Sequence, residues 1–484
     1  MGETPLVSAA FGRRQTAGLL FGLSPMSLVS FALGMVIVFM LFMSRAGAVG
    51  WWGLAPLWLG LIAAAFVPLH GGSLADYAPT LVSWVVRRVS GQWRFRAEVM
   101  RPRPAGTMAL PGDAAALQFV SAPPPDGSPG PVMVHDPWRQ TLTAVVEVEV
   151  SGFVLLDPDA KNRRVRGYAR LMDALASSST FAACQVWESV IPDSGDGVQG
   201  WWRDHGQPDT VAGSLYAEAI TAAGPAASRH RLLIAVTLDK RAARSEIRQQ
   251  GRGVTGAARV LYGDIAALGS TLADAELRVV GWLAPDALAA FIRGAYDPAD
   301  VPVAGDARTE LASAGPVAVD EHWDFLRHDS GWSAVLWAGE WPASAVGPEF
   351  LHKLIFAAGV RRTVSIIQVP ISPEKARQAL RSERTQYETD RHAKQRAGFL
   401  IDDIEDAELG QVRQRARALG AGHADIRFAG LVVVTSTVSL EQLRADVAAV
   451  KRRGLGAGVD LVVLYGRQSQ AFIAGALPLG RSVF

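Results

Sequence analysis

"AFIRGAYDP" (Ala290–Pro298) and "AFIAGALPLG" (Ala471–Gly480) are the stretches on which the reading of this chain turns. Ala, Phe, Ile, Gly and Ala recur in one register, far apart in the chain. Five matched residues alone could be chance, so the surrounding elements have to decide. Before the first copy, "TLTAVVEVEV" (Thr141–Val150) alternates and is rich in β-branched residues, which predicts a strand. A helical stretch (160–179) leads to the strand "TFAACQVWESVI" (180–191), and a helix around Thr210–Ala223 to the strand "HRLLIAVTL" (230–238). A helix near Gly256–Leu272, the strand "ELRVVGWL" (276–283) and the closing helix "PDALAAFIRGAY" complete the series.

The second copy has the same lead-in. "WSAVLWAGEW" reads as a strand, "GPEFLHKLIFAAG" as a helix and "RRTVSIIQVPI" as a strand. "DIRFAGLVVVTSTV" is a strand, Leu440–Arg453 a helix, "GVDLVVLYG" the last strand and "RQSQAFIAGAL" the closing helix. Each half reads β-α-β-β-α-β plus a terminal helix, the split-βαβ or ferredoxin-like order. The repeated words fall directly after the last strand both times, which makes tandem duplication the better account. The halves are expected to differ in one place. Residues 372–424, dense in Arg, Glu, Gln and Ala, read as two long helices broken near Gly398–Ile401, a projecting helical hairpin with a largely polar circumference.

The first ninety residues are of another kind. "PMSLVSFALGMVIVFMLFM" (Pro25–Met43) and "GWWGLAPLWLGLIAAAFVPL" (Gly50–Leu69) contain no charged residue. Each has about the 20 residues that cross a hydrocarbon core of ~30 Å. The short link between them makes the two helices antiparallel neighbours. A cleaved signal peptide is disfavoured, because the first apolar run is too long and no small-residue cleavage site precedes a mature start. Trp51, Trp52 and Trp58 suit a membrane interface. Arg13 and Arg14 precede the first span, and Arg87, Arg88, Arg94 and Arg96 follow the second, against Arg45 alone in the link. The positive-inside rule puts both ends of the hairpin, and the N- and C-termini, in the cytoplasm. From Leu74 to Arg88, Leu74, Tyr77, Leu81, Trp84 and Val85 follow helical spacing. They predict an amphipathic helix on the inner membrane face with Arg87 and Arg88 turned to lipid headgroups.

Composition bounds the rest. The 484 residues are 49% hydrophobic and 19% charged, with a formal net charge of +2, which excludes a strongly basic nucleic-acid surface. One cysteine, Cys184, excludes an internal disulfide framework and a Cys-rich zinc site, and it reads as a buried structural thiol. The expected fold class is therefore membrane-anchored α+β: a two-helix transmembrane hairpin, then two tandem ferredoxin-like units with a helical hairpin inserted in the second. The expected segments are 1–24 (cytoplasmic), 25–70 (hairpin), 71–130 (interfacial helix and linker), 131–300 (first unit) and 301–484 (second unit).

Catalytic signals are weak. "GRGVTGAAR" (Gly251–Arg259) lacks the spacing and the lysine of a phosphate loop and reads as a Gly-rich helix start. "DEHWDFLRHDSGWS" (Asp320–Ser333) gathers Glu321, His322, Asp324, His328 and Asp329. Its histidines are off the i, i+4 spacing of a helical zinc face. A packing role is expected, with Trp323 as anchor and Arg327 paired with Asp329 at a helix end. No catalytic residue, cofactor or metal site is expected.

In order along the chain, "FGRRQTAGLLFGLSP", "GGSLADYAPTLVSWVVRRVSGQWRFR", the "LPG" at Leu110–Gly112, "VHDPWRQTLTAVVEVE", "AFIRGAYDP", "GPVAVDEHWDFLRHDSGWS" and "AFIAGALPLG" form a set. Within it Tyr296, Asp297, Pro298, Trp323, Arg327, His328, Asp329, Leu477, Pro478 and Gly480 stand at motif positions. The set resembles a family of actinobacterial integral membrane proteins encoded with conjugation (type IV secretion-like) genes. In that family the N-terminal hairpin looks like a PrgI-type small membrane subunit. The cytosolic part looks like the N-terminal region of the conjugation motor ATPase, whose "LPLG"-like segment leads into a nucleotide-binding domain. The entry segment here departs from the family, which is richer in Trp, Pro and Arg. The resemblance implies an inner-membrane scaffold that docks a separate secretion or conjugation ATPase within a larger complex. Other membrane subunits and membrane lipid would be its further partners, with no sequence-specific contact to nucleic acid. Two alternatives stay open: an EccE-like component of a type VII secretion membrane complex, and a membrane-anchored enzyme with an unrecognised site.

Overall fold

The structure, a computed structural model, describes residues 24–481 except 45–46, 70–71, 99, 101–102, 122–129, 151, 179, 193–195, 224–227, 300–309, 343, 357–358, 372–373 and most of 383–424. The expected helical hairpin at 372–424 thus lies largely outside the described residues, apart from a helical stretch over 374–382.

Helix α1 (Pro25–Met43) opens with Pro25 at its first position, and the Ser24 hydroxyl accepts the Ser27 N–H at 3.1 Å. Both are helix-start devices: the hydroxyl satisfies a backbone donor the helix cannot, and proline, lacking an N–H, leaves one fewer to satisfy. It is long and apolar enough to cross a membrane. Helix α2 (Ala48–Phe66) packs along it. Gly34 lets the two approach, since a Cβ there would stand 2.8 Å from the Ile62 side chain. The Ser30 hydroxyl donates to the Leu61 carbonyl at 2.8 Å, and Phe31 meets Phe66 edge-on. After a 3-10 turn, Leu74–Tyr77, comes α3 (Ala78–Val89).

The elements that build the main sheet and its covering layers are β1 (Arg94–Arg96), β2 (Gln118–Ser121), β3 (Val132–Asp136), β4 (Thr141–Glu149), α4 (Pro158–Ser177), β5 (Phe181–Pro192), β6 (Ser228–Asp239), α5 (Gly253–Asp274), β7 (Arg278–Trp282) and α6 (Pro285–Tyr296). The second half adds β8 (Ala318–Glu321), β9 (Leu326–His328), β10 (Gly331–Glu340), β11 (Arg362–Ile371), β12 (Asp425–Ser436), α7 (Leu440–Gly456), β13 (Asp460–Val463) and α8 (Gln468–Ala476). These strands form one 13-stranded sheet in the order β1-β8-β9-β10-β12-β11-β5-β6-β4-β3-β2, with β13 on β10 and β7 on β4.

The halves repeat each other closely. In the first, the sheet runs β7-β4-β6-β5; in the second, β13-β10-β12-β11. Each leading strand shares one edge between two partners. β4 pairs with β3 over Thr141–Ala144 and with β7 over Val146–Glu149; β10 pairs with β9 over Gly331–Ser333 and with β13 over Leu336–Glu340. Both second pairings are interrupted by a register shift, at Glu147/Val148 and at Ala338/Glu340. The halves meet through equivalent strands, β5 and β11, antiparallel from Val190↔Arg362 to Cys184↔Gln368. An approximate two-fold axis therefore runs through that seam.

Long β-branched runs such as "LLIAVTL" and "LVVV" make the central strands, because both faces of the sheet are covered. On one face α4 and α5 bury Leu171, Leu175, Leu261 and Ile265 against the first half, and α7 buries Leu443 and Val450 against the second. The opposite face carries a single core drawn from both halves. Val145, Trp187, Leu233, Ile367, Leu431 and Val433 lie there under α6 and α8, together with Met108, Leu110 and Leu117. The result is an α+β three-layer stack. The segment expected to be a linker up to residue 130 thus supplies core residues and two strands, β1 and β2.

Two local expectations need correction. The helix expected at 347–359 is a single turn, His352–Ile355, because α4 of the first half reaches over the seam. Lys161 there pairs with Glu349 at 2.5 Å, and the Tyr168 hydroxyl donates to Gln368 at 2.7 Å. The first half also carries an insertion between its second and third strands, with helices Asp196–His205 and Val211–Ala223; only the second was expected. Most informative are the repeated words. The closing helices lie on their own halves, as α8 does on β10, β11 and β12, but the last turn of each and the residues after it reach across the seam, in opposite directions. α8 starts at home, where Gln468 accepts the Val335 N–H at 2.8 Å. It ends on the first half, where Gln185 of β5 donates to the Ala474 and Leu477 carbonyls and accepts the Gly480 N–H at 2.7 Å. α6 starts beside β4, with the Leu283 N–H on the Val145 carbonyl, and ends against β9 of the second half.

Candidate functional site

Most of the described residues singled out in the sequence gather in two places, the junction beneath the apolar helices and the paired His-Asp turns at the seam.

At the junction, the Ser24 hydroxyl donates to Asp76, and Ser27 bonds Ser73. Asp76 also accepts the Ser73 N–H at 2.7 Å, closing a capping box on the 3-10 turn. Burial would raise the Asp76 pKa, but these hydrogen bonds to its charged form lower it. The start of α1 is thereby tied to the start of α3. Next, Trp84 meets Trp323 edge-on at 5.2 Å. Arg87 donates to Glu321 at 3.0 Å and to the Gly466 carbonyl. Glu321, buried, also accepts the Ser469 N–H at 3.1 Å, in the first turn of α8, where a carboxylate complements the helix dipole. Burial pushes the Glu321 carboxyl up despite Arg87. Arg88 stacks on Trp93 at 3.6 Å, and Arg94 does so at 3.9 Å, within the range of a cation–π contact.

This arrangement corrects the expected orientation of α3. Trp84, Arg87 and Arg88 face the protein rather than lipid headgroups, because Glu321, Trp323 and Trp93 take them up. Trp51 packs edge-on to Trp58 at 6.5 Å, while Trp52 is 80% exposed. Arg13 and Arg14 lie outside the described residues. Glu321, Trp93 and Gly466 were not foreseen as the receiving side. Only the closeness of Glu321 to Trp323 in the sequence hinted at it.

At the seam, the stretch read as a helix end is the hairpin β9–β10. His328 and Ser333 are fully buried. His328 Nδ1 lies 2.6 Å from the Tyr296 carbonyl, so it must donate there, and Nε2 accepts from the Ser333 hydroxyl at 2.8 Å. Ser333 in turn bonds Thr435 at 2.8 Å. Burial lowers the His328 pKa to about 4, so the ring is neutral. Asp329 does not pair with Arg327. It accepts from Arg293 of α6 at 3.2 Å and from the Val317 and Ala318 N–H groups. Arg327 instead stacks over Trp332 at 4.3 Å and donates to the His328 and Gly331 carbonyls. Asp297 pairs with Arg293, and the Pro298 carbonyl accepts from Arg361 at 2.6 Å.

The first half has the counterpart, a second repeated word that the sequence reading missed: His135-Asp136 before Thr143-Ala144, as His328-Asp329 stands before Ser333-Ala334. Thr143 bonds Thr237 at 2.9 Å, and Thr237 donates to the Gly480 carbonyl at 3.2 Å. Asp136 pairs with Arg481 at 3.1 Å. Leu477 and Leu479 are buried around Pro478. Each His-Asp turn thus receives the closing segment of the other half.

An imidazole bonded to a serine hydroxyl has the elements of a nucleophile and its base. Here both groups are sealed in the core, and both ring nitrogens of His328 and the Ser333 hydroxyl have protein partners, as in a packing network. An open cleft of about 560 Å³ among the described residues is lined by Arg103, Thr107, Gln118, Pro137 and Trp138 among others. Its one polar group near the His-Asp turn, Gln118, is already bonded to His135 at 3.1 Å. No cluster of three or more His, Cys, Asp or Glu placed to hold a metal ion occurs among the described residues. A scan of protein-family models finds no match to this chain, and a search of curated proteins finds none either.

Proposed function

We propose that this chain is a non-enzymatic inner-membrane scaffold of a conjugative, type IV-like DNA-transfer apparatus, and that it docks a separate cytoplasmic ATPase. In this reading α1 and α2 span the bilayer as a hairpin with both chain ends in the cytoplasm. Each half of the sheet is a ferredoxin-like unit, since its strands are ordered fourth, first, third, second. One observation carries the reading. A membrane-length apolar helix is tied through Asp76, and through the Arg87–Glu321 pair beyond it, to a continuous sheet of two repeated units. Such a joint transmits position without needing chemistry. The burial of His328 and Ser333 supports a packing role for the most enzyme-like pair. The order of sequence landmarks supplies the conjugative context.

Purification of the tagged chain from its native membrane in a mild detergent tests the proposal. Stoichiometric recovery of a conjugation motor or coupling ATPase is expected. Recovery of a type VII-type ATPase would transfer the scaffold role to that system, and recovery of no ATPase would overturn it.

A further inference from the structure

α3 turns one stripe of its surface away from the protein. Leu81, Val82, Val85, Val86 and Val89 are 50%, 62%, 44%, 58% and 84% exposed, and their spacing places them on one helical face. An unpartnered apolar face calls for an occupant. Its position supplies one. α3 leaves the 3-10 turn whose Asp76 holds Ser24, the residue that caps the apolar α1. The start of the stripe is therefore pinned where α1 begins. Val67 and Leu74 continue the apolar surface at that level; their backbones are bonded at 3.0 Å, and their side chains are 45% and 46% exposed. α3 carries no basic residue other than Arg87 and Arg88. The first is held by Glu321 and the second lies on Trp93.

We propose that α3 lies in the bilayer surface with its valine face in the acyl-chain boundary, held there by apolar burial and indifferent to lipid charge. The inference rests on the reading of α1 and α2 as a spanning hairpin. It reverses the usual arrangement, in which arginines of a surface helix meet anionic headgroups. The helix then couples the membrane surface to the first turn of α8 through Arg87, Glu321 and Ser469.

Spin labels on single introduced cysteines in the full chain test it, in vesicles of phosphatidylcholine alone and with added phosphatidylserine. Cys184 is buried, with its thiol pushed up to about 12, so labelling goes to the new site. Val86→Cys reports on α3, Val36→Cys on α1, and Ser270→Cys, on the exposed side of α5, on water. At Val86→Cys, oxygen is expected to reach the label several-fold better than a nickel chelate, as at Val36→Cys, and equally in both vesicles. Nickel access matching Ser270→Cys would overturn the inference. So would exclusion of both agents, which marks a second copy or residues 1–23 on the face, and so would immersion that requires phosphatidylserine. If Val36→Cys is immersed while Val86→Cys is not, this inference fails alone; if neither is, the spanning reading fails with it.

Discussion

His328 is kept neutral by its surroundings, and that has a measurable sign. Burial lowers its pKa from 6.5 to about 4. Between those values the unfolded chain binds more protons than the folded one, so stability is full above pH ~6.5 and is lost as pH falls toward 4. The linkage amounts to about 3 kcal/mol at most. Denaturant titration of the full chain in detergent at pH 7.5 and pH 5 is expected to show about 2 kcal/mol of that loss, and His328→Gln to show a shallower pH dependence from a lower starting stability. His135 and His322 are also lowered by burial and add slopes of the same sign, so the difference between wild type and variant isolates His328. An equal slope in both would remove His328 from the account. Gly480 is the second decisive residue. Its φ of +61 favours glycine, and a Cβ there would stand 2.2 Å from the Thr237 hydroxyl and 2.8 Å from Thr143. Gly480→Ala is expected to cost about 2–3 kcal/mol, combining overpacking with backbone strain. Gly91→Ala, at φ +75 with open space around it, is expected to cost only about 1 kcal/mol. Equal losses in the two would mean that the Gly480 seat is not tight.

At the scale of elements, α3 separates what a sequence reveals from what it hides. Periodicity revealed an amphipathic helix, but it could not say which face meets the protein. Trp84 and the two arginines have apolar or aromatic-stacking surfaces of their own, and Glu321 and Trp323, the partners of Arg87 and Trp84, lie far along the chain. Because the Arg87–Glu321 pair is largely buried, with side chains 16% and 4% exposed, removing one partner strands the other. Arg87→Ala is expected to weaken α3 docking by about 3 kcal/mol, read as faster amide exchange over residues 78–89. Adding Glu321→Gln is expected to restore part of that protection. If the two effects simply add, the pair does not hold the helix. The eight strands β4 to β7 and β10 to β13 were legible from alternation and β-branched runs, as were the Gly-rich start of α5 and the apolar α1, whereas the short β1, β2, β3, β8 and β9 were not. The short helix at 352–355 was not, because the space for a longer one is taken by α4 of the other half, a tertiary fact invisible in "GPEFLHKLIFAAG".

At the scale of the whole molecule, the repeated words were legible as a duplication but not as an exchange. Local patterning places Phe291 and Phe472 on apolar helix faces. Nothing local says that Gln185 waits for the end of α8, or that Asp329 waits for Arg293 of α6. The His-Asp repeat is the missed clue, since both copies sit at the turn that receives the opposite closing segment. With β5 on β11, both closing segments reaching across the seam and one core beneath them, the two halves form one platform on the joint below α1. That is the central claim, and amide hydrogen exchange of the full chain tests it most directly. Amides of β5 from Cys184 to Val190 and of β11 from Arg362 to Gln368 are predicted to exchange as slowly as those of β6 and β12 in the two interiors, with the same opening free energy. Exchange at the seam well ahead of β6 and β12 would mean that the halves open independently, and would contradict the account.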